Sequence, residues 1–76
     1  MSANIQLSYS VSTLEAALSH LDHLVSRNQR AARQYQVNDF PALADTANQL
    51  ADLWQVLADE VRNTYTATVE ALEEVA

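Results

Sequence analysis

The chain has 76 residues, a formal net charge of −6 at pH 7 and neither cysteine nor glycine. This length allows one small domain, residues 1–76, whose single core provides little stability. The absence of cysteine excludes disulfides and cysteine-based metal sites. The acidic balance argues against binding to nucleic acid, which requires cationic side chains against the phosphates.

The N-terminal segment alternates between polar and apolar side chains from residue 4 to residue 11. A period of two with aromatic and β-branched residues is typical of an extended segment with one buried face. We therefore predict an extended arm over residues 1–11. The arm could pair with a second copy, lie along a helix or stay solvated. Its apolar face consists of Ile5, Leu7, Tyr9 and Val11.

The first helix is predicted over residues 12–35, because Ser12 and Glu15 have the spacing of a capping box ahead of an apolar run. Its apolar positions recur every seven residues, and Asn28 falls in this otherwise apolar row. A buried asparagine can set helix register or oligomer state; the alternative is that Asn28 lies at the edge of the row, toward solvent. The row consists of Leu14, Leu21, Asn28 and Tyr35.

The second helix is predicted over residues 41–75, because proline suits the first helical position, where its missing N–H costs nothing. In the turn over residues 36–40, we expect Asn38 to adopt the left-handed conformation, since no glycine is available. We expect Phe40 to pack back across the hairpin. The apolar face of this helix is three rows wide, as in bundle helices. Its rows are Leu43, Leu50, Leu57 and Thr64; Ala47, Trp54, Val61, Thr68 and Val75; and Ala44, Ala51, Ala58, Tyr65 and Leu72.

These segments together predict an all-α fold: an antiparallel two-helix hairpin with an extended N-terminal arm, completed as a dimeric four-helix bundle. The second helix outruns the first by roughly a dozen residues, or about 18 Å. Its apolar face is broader than a single short helix can cover. We therefore expect a homo-oligomer or a complex with a helical protein partner. The residues expected to contact the partner are Ile5, Leu7, Tyr9, Val11, Asn28, Leu50, Trp54, Leu57, Val61, Tyr65 and Leu72.

Three of the four basic residues, Arg27, Arg30 and Arg33, lie within seven positions of one another. They lie toward the C-terminal end of the first helix, where the helix dipole favours cations. We expect them to face acidic side chains such as Asp45 and Asp52. A docking patch for an acidic partner or a weak phosphate site is the alternative.

The sequence predicts no enzymatic activity, cofactor or small-molecule substrate. His20 and His23 have a spacing that can contribute to a metal site, but zinc needs three or four ligands and no third ligand is defined by the spacing. No glycine is present to build a nucleophile elbow. The carboxylates fall on predicted solvent faces. We expect solvated histidines and a function in protein binding.

No stretch of 18 apolar residues is present, so we expect no membrane span. The N-terminus also lacks a basic region followed by an apolar core, the pattern of a secretory signal peptide. A cytoplasmic location is therefore the default expectation. Export by a route that uses no cleaved signal peptide stays open.

The order of the segments resembles the WXG family of small type VII secretion substrates. The features that carry the resemblance are the Ile-Gln-Leu start at Ile5, the four leucines that follow, the hairpin plan and the tail from Tyr65 to Glu70. The resemblance implies a helical hairpin that forms homo- or heterodimeric four-helix bundles and is exported by a dedicated machine. The chain has no Trp-x-Gly turn, and Val69 stands where the tail motif of the family has an acid.

A period-two segment followed by two helices also resembles ribbon-helix-helix repressors and antitoxins. In that arrangement Gln6, Ser8 and Ser10 would face the major groove of DNA. The net negative charge and the length of the predicted helices favour a protein partner instead. An acidic inhibitor, immunity or antitoxin-type protein is the alternative to a self-associating hairpin.

Overall fold

Two long helices account for nearly all of the structure, a computed structural model that describes residues 2–75. Helix α1 spans Ser2–Val37 and helix α2 spans Pro41–Val75, with three residues between them. The helices run antiparallel along a body with Cα extents of 57 × 14 × 12 Å. This confirms the all-α hairpin predicted from the seven-residue repeats.

The prediction of an extended arm over residues 1–11 is wrong, because α1 begins at Ser2 and continues through the alternating segment. Met1 lies outside the described residues. The alternation concealed a helical pattern: Leu7, Val11 and Leu14 are spaced i, i+4 and i+7 and all three are half-buried. A lone strand leaves its backbone N–H and C=O groups unpaired, whereas a helix pairs them within the segment.

The start of α1 at Ser2 changes two further expectations. Ser12 and Glu15 lie inside the helix, so they do not form the capping box predicted for its N-terminus. The helices have 36 and 35 residues, so α2 does not outrun its partner. The N-terminal turns of α1 instead pack along the C-terminal turns of α2.

The turn is a Schellman motif, the common way to end a helix with one left-handed residue. The N–H of Phe40 donates to the carbonyl of Tyr35 at 2.8 Å, and the N–H of Asp39 donates to that of Gln36 at 3.2 Å. Asp39 is the left-handed residue, with φ of 63°, so the prediction of Asn38 is wrong. The N–H of Asn38 still makes the helical bond to the carbonyl of Gln34, which places the left-handed position one residue later.

The core between the helices consists of small side chains. Its buried apolar members are Val25, Ala32, Ala44, Ala47, Ala51 and Ala58. Alanine on α2 lets the two backbones approach closely, but each alanine removes little apolar surface from water. The larger side chains lie at the margins of this contact, and Phe40, expected to pack back across the hairpin, is 53% exposed.

Candidate protein-binding side

The seven-residue rows of the two helices meet along one side of the hairpin. Near the turn, Asn28 and Tyr35 of α1 line a groove of about 170 Å³ with Leu43 and Leu50 of α2. Toward the chain termini, a second groove of about 340 Å³ continues along the two helices. We call this surface the row side. Its groove-lining row residues are Leu14, Asn28 and Tyr35 of α1, and Leu43, Leu50 and Thr64 of α2.

Leucines of α2 remain exposed on the row side. Leu43 is 48% exposed, Leu50 40%, and Leu57 36%. The adjacent Leu53 is 53% exposed. Full burial of one leucine side chain stabilises a fold by about 1.5–3 kcal/mol. In the hairpin alone, these four leucines are only partly buried, so they provide only part of that stabilisation.

The opposite side of the hairpin is polar and carries the side-chain links between the helices. Arg62 Nη2 lies 3.4 Å from Asp22 Oδ1, and its Nη1 lies 3.2 Å from Asp59 Oδ1. Arg62 is about 120° around α2 from Leu50, since successive residues advance by about 100°. These groups are roughly half exposed, and exposed ion pairs contribute little stability. They mark the solvent side of an amphipathic hairpin.

A second polar link joins the helices nearer the termini. The Tyr65 hydroxyl donates to Glu15 Oε1 at 3.0 Å. This hydrogen bond, then the negative charge of Glu15 and then partial burial raise the pKa of Tyr65 above its ordinary value of about 10. The tyrosine is therefore held in its protonated, donating form over a wider pH range.

Asn28 occupies a half-buried position in the groove, level with Leu50. Its Nδ2 donates to the carbonyl of Leu24 at 2.9 Å. One amide hydrogen and the Oδ1 atom are left for other partners. The groove thus presents an amide within a mostly apolar lining.

The other predicted partner-binding residues divide between the inter-helix contact and the surface. On α2, Trp54, Val61, Tyr65 and Leu72 are half-buried against α1. The residues predicted for the arm lie on α1, where Leu7 and Val11 are half-buried and Ile5 and Tyr9 are exposed by 61% and 75%.

Sequence reasoning missed Tyr35, Leu43 and Leu53 as candidate contact residues. Leu43 begins the same seven-residue row as Leu50, and Tyr35 ends the corresponding row of α1. Leu53 lies three residues after Leu50, a neighbour on the same helix face. Their periodicity was visible, but which edge of the stripe would stay uncovered depends on how the helices pack.

The basic residues of α1 do not make the predicted ion pairs. Arg27, Arg30 and Arg33 are exposed, and the ion pairs found between residues 2 and 75 involve Arg62 rather than these three. Arg30 and Arg33 line an open depression of about 490 Å³ with Gln34, Val37 and Asn38. Its lining comes from the end of one helix and the turn, so it is not enclosed by the two helices.

His20 and His23 are both exposed on α1. In the described part of the chain, histidine and acidic side chains do not gather in a group of three or more that could hold a metal ion. Neither described helix contains a window long and apolar enough to cross a lipid bilayer.

Comparison with known proteins gives no match: no family model, no curated protein and no solved structure shows significant similarity to this chain.

Proposed function

We propose that this chain is a protein-binding module with no chemistry of its own, which completes a helical bundle with a second copy or with another helical protein. The row side is the contact surface. The observation that supports this most strongly is the row of half-exposed leucines from Leu43 to Leu57, beside a core whose buried side chains, among residues 4–75, are no larger than valine.

The thin core supports the same proposal. Conformational entropy opposes folding by about 1–2 kcal/mol per residue for the backbone alone, and small domains usually need more than one modest core to offset it. Packing a further helix or helix pair against the row side would remove the leucines from water. Association would then also stabilise the fold.

The ionisable side chains also suit a binding module better than a catalyst. Every acidic residue among residues 2–75 is exposed, as are both histidines. Binding pockets for small substrates are concave and bury a few convergent polar groups. The two grooves on the row side are instead shallow and extend along the helices.

The hairpin plan and association into a bundle agree with the WXG resemblance. We do not propose export, because Val69 stands where the tail motif requires an acid and no Trp-x-Gly turn is present. The turn is made by Asp39 in a Schellman motif instead.

The first experiment measures mass and exposed apolar surface together. Light scattering of the purified chain gives its mass against the 8.4 kDa of one copy. Binding of the dye ANS then reports apolar surface left open to solvent. A mass of at least two copies, or a single copy that binds ANS, supports the proposal. A single copy that melts cooperatively and binds no ANS overturns it.

A matched pair of substitutions localises the contact. Leu50→Gln places an amide in the groove and should lower the measured mass or abolish ANS binding. Val56→Gln is the control, since Val56 is 56% exposed and lies about 120° around the helix from Leu50. Equal effects of the two substitutions would contradict the assignment of the row side.

A further inference from the structure

We propose that the occupant of the row side is a second copy of this chain, docked antiparallel and overlapping only at the turn half. The turn half is residues 20–57, and the open half is residues 2–19 and 58–75. The two-fold axis would cross the helices at the level of Asn28 and Leu50. This inference rests on the proposed function and specifies its partner and geometry.

The exposed apolar surface is concentrated in the turn half. Among the described residues, the leucines that remain exposed all lie in the turn half, namely Leu43, Leu50, Leu53 and Leu57. The groove of the open half contains one leucine, the half-buried Leu14. Its other lining residues are Tyr9, Ser10, Thr13, Thr64 and Thr68. Removing apolar area from water drives association, so the turn half offers most of the driving force.

The rows are self-complementary about the level of Leu50. Leu43 and Leu57 lie seven residues before and after it, each about 10 Å away along the axis. An antiparallel copy related by a two-fold axis at this level would place Leu43 of one chain over Leu57 of the other and Leu50 over Leu50. Asn28 shares the groove with Leu50, so Asn28 would meet Asn28.

The asparagine distinguishes this orientation from a parallel one. With the copies parallel and face to face, a two-fold axis along the hairpin would place each Asn28 over the partner's α2 and bury its amide against leucine. Burying an unpaired amide is unfavourable. In the antiparallel docking, the free Oδ1 of each asparagine accepts from the Nδ2 of the other. A buried asparagine pair of this kind specifies register in helical assemblies.

The charge distribution favours the same docking. The turn half carries three arginines and four aspartates, a net charge of −1, whereas the open half carries one arginine and six acidic residues, a net charge of −5. Parallel copies would place the two −5 halves side by side. Overlap of the turn halves alone keeps them apart by far more than the Debye length of about 8–10 Å at physiological salt.

The available area suits a dimer of ordinary size. A standard interface buries about 800 Å² per partner, roughly one-seventh of the 5531 Å² surface of this chain. The turn half covers half of the 57 Å length and the roughly 20 Å width of two adjacent helices, which is a projected area of about 570 Å². The accessible area of that side-chain surface exceeds its projection, so the turn half is comparable in size to one side of such an interface.

Distances between spin labels test the geometry. The chain contains no cysteine, so Glu73→Cys and Asn38→Cys each provide a single labelling site at an exposed position. At a rise of 1.5 Å per residue, antiparallel docking of the turn halves alone places the two Glu73 labels about 70 Å apart. The two Asn38 labels would be about 30 Å apart. Full-length antiparallel overlap would give about 45 Å between the Glu73 labels and about 55 Å between the Asn38 labels. Parallel docking would give less than about 25 Å for both pairs.

Distances near 70 and 30 Å in a two-copy assembly would support the inference, and either of the other pairs would overturn it while leaving the proposed function standing. A single copy that binds ANS would have the same consequence, since the partner is then another protein. Asn28→Leu provides a second test: it should add a short-distance population to the Glu73 measurement. An unchanged single distance would show that Asn28 does not select the orientation.

Discussion

Enlarging one alanine in the contact between the helices tests how closely they pack. Ala58 is fully buried, with 0% exposure, in a contact where α2 contributes only alanines to the buried core. Ala58→Leu adds three carbons that must displace α1, and overpacking of this kind costs about 1–3 kcal/mol. For a domain of this size, 1 kcal/mol corresponds to a Tm shift of about 4–8 °C. We expect a loss of about 8–16 °C for a mid-range cost of 2 kcal/mol.

The control is Ala67→Leu, at an exposed position of the same helix. Alanine and leucine have similar helix propensities, so the control isolates packing. Both variants are melted by circular dichroism at the same chain concentration as the parent, because the Tm of an associating protein depends on concentration. If Ala58→Leu melted as the parent does, the helices would not be held together through a close alanine contact.

Three further predictions concern other parts of the hairpin. Trp54→Asp should unfold the hairpin or dissociate the proposed assembly, because it replaces a half-buried indole with a charge and the loss of such a side chain costs about 3–5 kcal/mol. Unchanged mass and helicity would refute the role of Trp54. Since Glu15 raises the pKa of Tyr65, the stabilisation from their hydrogen bond is complete below about pH 10 and is lost as the pH rises through the raised pKa. Tyr65→Phe should therefore reduce the decline of Tm above pH 10. The control variant Tyr9→Phe should show the same decline as the parent chain. Asp39→Gly should raise the free energy of unfolding, measured by denaturant titration, by up to about 1 kcal/mol, because glycine adopts the left-handed conformation of Asp39 without the Cβ penalty. A lower free energy of unfolding would show that the aspartate side chain itself supports the turn.

The seven-residue spacing of apolar side chains in the sequence determined the all-α hairpin. The row from Leu43 to Thr64 can form a continuous stripe only on a helix, and Pro41 supplies a favourable first helical residue. The connection before Pro41 is too short for anything but an antiparallel return. These are local properties, so they could be predicted without knowing what packs against what.

The tertiary structure decided the conformation of the N-terminal segment. The sequence of this segment fits two patterns at once. Residues 4–11 alternate with a period of two, while Leu7, Val11 and Leu14 have helical spacing. Packing along the C-terminal turns of α2 favours the helix over the strand. A helix there partly buries those three side chains and also pairs its own backbone N–H and C=O groups.

Only the tertiary structure could also show which part of the apolar stripe stays open. The sequence places Ala44, Ala51 and Ala58 beside Leu43, Leu50 and Leu57 without indicating which row faces α1. In the hairpin the alanines are buried and the leucines remain exposed, because small side chains permit the closest approach of two helices while larger ones lie at the margin of the contact. The candidate binding surface is therefore a product of packing between helices, and the periodicity of either helix alone does not define it.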